Sequence, residues 1–238
     1  MRRESLSPTA PEATTAHDRA LFRHHFDLRN RTEAQAYGEL TYQDLLGKCP
    51  GRVIEATALN SVQVAREVKD IEADLGIVFG TDLIKEPVLG VLPELTLNLH
   101  LGLSPWYRGS ATLFWPFYFL EPQWAGVTVH RLVEAVDGGE VAFQSTPVLQ
   151  SGMGIHDVGV GAVKSAIPNI LQLIEAVDAG KRINLARQRS SGRIFRTKDF
   201  RPCHLRLNYD MFGDRMTDAY LAGLLGVSVP NLVSLSCE

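Results

Sequence analysis

Apolar positions recur along the chain with two periods, and the alternation between them lays out the predicted elements. Over residues 18–46 the period is helical: Leu21, Phe22, Phe26 and Leu28 lie among charges, with Ala34, Ala36 and Tyr37 following. His24 and His25 are adjacent, so they diverge on a helix, and a solvated helix face is the better reading than a metal site. Cys49-Pro50-Gly51 breaks the chain, and 52–56 follows as a short predicted strand. Asn60 reads as the N-cap of a helix over SVQVAREVKDIEA, where Val62, Val64, Val68 and Ile71 form one stripe. Residues 75–80, LGIVFG, are a continuous apolar run of the kind a strand covered on both faces needs. Strand, helix and strand in this order suggest a parallel crossover unit.

The second half continues the pattern. Strands are predicted over 95–99, 126–133 and 141–149, and a helix over 155–177 carries Val160, Val163, Ile167, Ile170, Leu171 and Ile174. Pro168 is expected to kink or restart that helix, and Gly180 to stop it. Trp106, Tyr107, Phe114, Trp115, Phe117, Tyr118 and Phe119 crowd into fourteen residues, most of them reading as core. The stretch RQRSSGRIFRTKDFRPCHLRLNYDMF is basic and turns helical over 214–225; a solvated tail is its default reading. The fold class is therefore α/β, with a mainly parallel central sheet flanked by helices.

Candidate chemistry sits where the pattern changes. Asn98 and His100 close a predicted strand two residues apart, so their side chains share a face. A Gly/Ser/Pro loop follows, at the carboxyl edge where open α/β sheets bind ligands. The next strand runs into Asp137-Gly138-Gly139, a tight turn that presents a carboxylate. Taken singly, each residue has a plainer reading: Asp before Gly-Gly is ordinary turn chemistry, a lone His is usually structural, and an Asn at a strand end ties down a loop. Together they form an amide, an imidazole and a carboxylate suited to acyl transfer.

The order of these elements is more specific than any one of them. N-L-H, then Pro105, Arg108-Gly109, G-V-T and D-G-G resembles the core of the folate-dependent formyltransferases, a family that includes methionyl-tRNA, glycinamide-ribonucleotide and sugar N-formyltransferases. The resemblance covers residues 72–145 well. It implies a Rossmann-like fold and transfer of a formyl group from 10-formyltetrahydrofolate to an amine of a small-molecule acceptor. It assigns catalysis to Asn98, His100 and Asp137: Asn98 facing the developing oxyanion, His100 as polarising cation or proton acceptor, Asp137 orienting the imidazole or relaying a proton. It assigns folate contacts to Gly80, Leu83, Ile84, Lys85, Val88, Gly102, Leu103, Ser104, Pro105 and Val136. Trp106 and Tyr107 would line the acceptor pocket, while Arg108 would bind an anionic group or hold backbone carbonyls. The family normally opens with a β-strand and a glycine-containing loop, and no such unit lies upstream of Arg52. Three functions stay open: transfer to a small amine, hydrolysis of the same donor, and a folate-binding or assembly protein without catalysis.

Composition narrows the setting. The 238 residues are 45% hydrophobic and 21% charged, ordinary for a globular protein, and a net charge of −3 argues against nucleic acid as the default partner. Three cysteines with no C-x-x-C pair point away from a disulfide framework and towards a reducing cytoplasm, and no spacing suggests a metal site. No apolar run is expected to reach membrane-spanning length, and the N-terminus lacks the apolar core of a secretory signal. The expected organisation is a disordered tail over 1–16, a catalytic domain over 17–185 and a C-terminal extension over 186–238. The sheet edge left by the missing unit is expected to be covered by the N-terminal helix or by a second subunit in a homodimer.

Overall fold

The computed structural model describes residues 8–11, 14–38, 44, 46–48, 51–190 and 192–238. The expected tail over 1–16 and the break at Cys49-Pro50 fall largely outside these residues. The elements are α1 (Ala16–Tyr37), α2 (Val62–Asp70), β1 (Leu75–Phe79), β2 (Leu95–His100), β3 (Arg108–Gly109), α3 (Trp115–Tyr118), β4 (Val127–Arg131), β5 (Val141–Ser145), α4 (Ile155–Asp178), β6 (Ile194–Phe195) and α5 (Met216–Leu221).

A four-stranded sheet in the order β1-β2-β4-β5 forms the centre, and β3 pairs with β6 in a small second sheet. The α/β class holds, with helices flanking the sheet, but the expectation of a mainly parallel sheet does not. Within this central sheet, among the described residues, β1 and β2 are the one parallel pair; β2–β4 and β4–β5 are antiparallel. The reason lies in the connections. No helix long enough for a parallel crossover separates β2 from β4, and β4 turns directly into β5 through Asp137-Gly138-Gly139.

Residues 52–56 are not a strand: they run without regular pairing into a single 3-10 turn, Ala56–Ala58. Among the described residues, local β-propensity had no neighbouring strand to bond with, and β1 is the first strand of the sheet. Strand β1 stands at the edge of the sheet, and its Ile77 and Phe79 stay 43% and 54% exposed on one face, so it is not the doubly covered strand expected. The N-terminal helix does not cover it. Helix α1 packs on α4 and on the segment around 202–204, with Phe22 in a core that includes Phe114, Trp115 and Leu205. His25 is buried there too, its Nδ1 2.7 Å from the Tyr209 hydroxyl, which corrects the solvated reading of that position.

Helix α4 spans 24 residues and runs through Pro168 without a break, ending near Gly180 at φ +69°. Its buried face is rich in alanine (Ala162, Ala166, Ala176) beside Val158 and Leu173, so the helix lies close on β4 and β5. By length and composition α4 is, among the described residues, apolar enough to cross a membrane, contrary to the expectation that no run would be. The chain after α4 returns along the sheet: Val141 and Ala186 exchange both backbone hydrogen bonds at 2.8 Å, and the Gln144 N–H donates to the Val233 carbonyl at 2.8 Å.

Candidate active site

Asn98 and His100 leave β2 on one face, and the β4–β5 turn brings Asp137 to both. The Asn98 amide nitrogen lies 3.4 Å from Asp137 Oδ1, and His100 Nδ1 lies 3.4 Å from Asp137 Oδ2. The second nitrogen of His100, Nε2, is 2.8 Å from the Tyr107 carbonyl. A carbonyl only accepts, so Nε2 carries a proton and Nδ1 is the nitrogen free to change protonation state. The carboxylate is anchored in turn: the Gly109 N–H donates to Asp137 Oδ2 at 2.8 Å.

The turn that delivers Asp137 depends on close backbone approaches. Asp137 itself has φ +45°, a left-handed conformation that Asp tolerates better than most residues. A Cβ on Gly139 would meet the Arg131 carbonyl at 1.9 Å, and one on Gly109, at φ +95°, would meet the Phe195 carbonyl at 2.1 Å. Both positions are closed to larger residues. Glycine there is what lets the two loops converge on one carboxylate.

Burial and charge set the protonation states. His100 is held below its ordinary value, chiefly by burial, with the Asp137 carboxylate and the Tyr107 carbonyl opposing. Burial pushes Asp137 up, but the His130 and His100 rings and the Gly109 N–H pull harder, and the carboxyl ends below its usual range. At neutral pH the arrangement is therefore an ionised Asp137 beside a neutral His100, with an amide alongside.

The remaining predicted site residues divide. Gly80, Leu83 and Lys85 lie in the loop after β1, where Leu83 is exposed. Asn60 ties this loop down: its amide donates to the Leu83 carbonyl at 3.0 Å and its Oδ1 accepts from the Lys85 N–H at 2.7 Å. Asn60 is consequently not the N-cap of α2; Ser61 is, accepting from Val64 N–H at 3.2 Å. Ile84 and Val88 turn inward to a small core with Val64 and Ala65. Gly102, Leu103, Ser104 and Pro105 follow β2 directly, with Leu103 fully buried. Ser104 is fastened through its N–H to Thr128 Oγ1 at 2.9 Å and through its carbonyl to the Gln144 amide at 2.6 Å. Val136 is exposed beside Asp137.

Trp106 and Tyr107, expected to line a pocket, both pack on the aromatic core, Tyr107 buried in it and Trp106 half-buried against it. Trp106 packs edge-on against Trp124 at 5.0 Å, and the buried Tyr107 ring sends its hydroxyl to Glu121 at 3.0 Å. The Tyr107 carbonyl reaches the site at His100 Nε2. Arg108 is buried, its N–H donating to the Arg193 carbonyl at 3.1 Å and its guanidinium lying against Gly138.

Two residues at the site were not singled out from the sequence. His130 faces Asn98 across the β2–β4 pairing, and its Nε2 lies 3.3 Å from the Asn98 amide nitrogen and 3.5 Å from Asp137 Oδ1. Its Nδ1 is 2.9 Å from the Arg131 carbonyl and so carries a proton. The signal was present in G-V-T-V-H, where His130 alternates with Thr128 along the strand. The other is Gln188, from the returning C-terminal segment, whose amide donates to the carbonyls of Asp137 at 2.8 Å and Gly139 at 2.7 Å.

Residues 24–153, more than half of the chain, match the family model described as formyl transferase. Among solved structures, a 4-N formyltransferase from Francisella tularensis aligns at 16% identity over 73% of this chain and 74% of its own, with a TM-score of 0.53. The formyltransferase PseJ from Anoxybacillus kamchatkensis aligns at 21% identity over 61% of this chain and 75% of its own, TM-score 0.51; it was crystallised with UDP-4,6-dideoxy-4-formamido-L-AltNAc and tetrahydrofolate. WlaRD, a sugar 3N-formyl transferase crystallised with dTDP and 5-N-formyl-THF, aligns at 18% identity over 68% and 55%, TM-score 0.51. At these identities the structural likenesses establish a shared fold.

Proposed function

As this chain belongs to the formyl transferase family, we propose that it transfers the formyl group of 10-formyltetrahydrofolate to the amine of a small-molecule acceptor. The observation that carries this reading is the convergence of Asn98, His100 and Asp137 within 3.4 Å contacts on one carboxylate. The folates bound with PseJ and WlaRD support the choice of donor, and the UDP-sugar bound with PseJ makes amino-sugar nucleotides the first acceptors to assay.

In the reaction the acceptor nitrogen attacks the formyl carbon, a new C–N bond forms, and the carbonyl oxygen takes up negative charge. Asn98 donates to that oxygen, exchanging one of its long contacts at 3.3 and 3.4 Å for a shorter charge-assisted bond. A donor of this kind is worth roughly 3 kcal/mol to the transition state. The attacking nitrogen must then lose a proton. Neutral His100 accepts it at Nδ1, the nitrogen that faces ionised Asp137, and the carboxylate holds the imidazolium that results. The proton passes to the folate nitrogen as the old C–N bond breaks, yielding the formamide and tetrahydrofolate. Measuring tetrahydrofolate release with and without amine pools tests the reading. Release that requires an amine supports transfer; equal release without one would make the protein a hydrolase, and no release in either case would remove the catalytic reading.

A further inference from the structure

We infer that Gln188 is a positioning residue of this site, acting on Asp137 through the backbone of its turn; the inference rests on the formyl-transfer reading above. The β4–β5 turn has little to hold itself in shape. Residues 133–136 are exposed, and the turn's own backbone contributes one hydrogen bond, Gly138 N–H to the Ala135 carbonyl at 3.1 Å, above the closing Arg131 N–H to Glu140 carbonyl bond at 2.7 Å. Yet Asp137 must keep a left-handed φ of +45° for its carboxylate to face His100.

Gln188 supplies what the turn lacks. One amide nitrogen donates to the carbonyls on either side of Gly138, at 2.8 Å to Asp137 and 2.7 Å to Gly139, so both hydrogens of the side chain are spent on the three residues that aim the carboxylate. The segment bearing Gln188 is itself fixed at both ends. Upstream, Ala186 exchanges backbone hydrogen bonds with Val141 at the start of β5. Downstream, the Arg193 carbonyl accepts from Arg108 N–H at 3.1 Å and the Phe195 carbonyl from Ser110 N–H at 2.8 Å. These anchors bracket Gly109, whose N–H holds Asp137 Oδ2. One strap thus fastens both loops that meet at the carboxylate. A polar side chain held this way transmits position rather than charge, and a displacement of about 1 Å at a reacting group can cost on the order of 100-fold in rate.

The test compares three variants of the full chain. Gln188→Ala removes the donors, Gln188→Glu keeps the shape but replaces them with an acceptor, and Asn184→Ala loosens the same strap where Asn184 meets Ser236 and Glu238, away from the site. Gln188→Ala and Gln188→Glu are each expected to lower kcat about 10- to 100-fold with KM for 10-formyltetrahydrofolate within about threefold, whereas Asn184→Ala keeps wild-type kcat. A Gln188→Glu variant as active as wild type would reduce Gln188 to filler, and a kcat loss shared by Asn184→Ala would show that general strap stability is responsible. An NMR titration of the His100 ring in the ligand-free protein separates this inference from the reaction assigned to the site. Because Asp137 raises the His100 pKa, loosening its turn should lower that pKa further in Gln188→Ala. An unchanged His100 titration would overturn the positioning role even if turnover fell. A lowered one would sustain it even if the wild-type protein proved not to transfer formyl groups.

Discussion

The two edges of the central sheet are treated in opposite ways. Along β5 the outer edge is taken up by the C-terminal chain, through Val141 with Ala186 and Gln144 with Val233. Along β1, among the described residues, no backbone bond is made on the outer side, and Ile77 and Phe79 face solvent. The covered edge is the one that abuts the turn carrying Asp137. The difference shows where this fold needs rigidity: hydrogen bonds accumulate around the group whose placement the chemistry depends on, and the far strand is left with an apolar edge that proteins ordinarily protect.

The largest test of that contrast is removal of the reacting groups. His100→Ala or Asp137→Asn should lower kcat by about 1,000-fold or more while folate affinity stays within a few-fold, because a transition-state interaction is lost rather than a ground-state contact. The double variant should be little worse than either single one, since the pair works as a unit. Losses that multiply would separate Asp137 from His100 and return it to the role of a turn residue. Next in size is Gly139→Ala, whose added Cβ would stand 1.9 Å from the Arg131 carbonyl. The turn must shift to admit it, so we expect about 2 kcal/mol of destabilisation by urea unfolding together with a kcat loss of about 10- to 100-fold. Wild-type kcat in this variant would mean that the turn geometry is not limiting.

Much of the site was legible because it is written locally. Asn98 and His100 share a face by the period of two along a strand, and Asp137 is marked by the two glycines after it. What could not be read was set by pairing across the chain. His130 meets Asn98 through the β2–β4 register, and Gln188 reaches the turn from 51 residues downstream of Asp137. It lies in a basic stretch that reads as solvated because its charges give no hint of the strap's backbone bonds. His25 was misread for a similar reason: adjacent histidines among charges look exposed until Tyr209, distant in sequence, closes over one of them. Residues 52–56 have strand composition but no partner, so composition alone misassigned them.

Another seam lies where α1 meets α4 and the C-terminal segment, and acid should open it selectively. His25 and His156 lie there with ring centroids 4.4 Å apart, near Arg29 and His24, with Tyr209 against His25. Burial holds His25 well below its ordinary value and His156 down to about 4. As pH falls below the unfolded value of 6.5, the unfolded chain binds protons that the folded chain refuses, so stability drops, and for His156 it continues to drop until pH reaches about 4. His156 alone should account for roughly 2 kcal/mol between pH 7 and pH 5. Urea midpoints across this range should fall for the wild type and fall less steeply for His156→Gln; parallel slopes would show that the seam does not control acid stability.

The smallest effect is expected at the bare edge. Ile77 and Phe79 are 43% and 54% exposed on β1, and if nothing occupies that edge in solution, a lysine at either place loses little packing. Surface changes of this kind fall within about 0.5 kcal/mol. Ile77→Lys and Phe79→Lys should therefore keep the wild-type urea midpoint and kcat, while light scattering at high protein concentration decreases, because a charge on an edge strand opposes edge-to-edge pairing. The prediction is sharp because the alternative has a different signature. A second subunit or other partner seated along β1 would lose an apolar contact and gain an unpaired charge in each variant. Stability or activity would then fall with dilution, and the lysine variants would behave at high concentration as the wild type does at low. A concentration-independent midpoint, unchanged by either lysine, would leave the open edge as a feature of the free molecule and the contrast between the two edges intact.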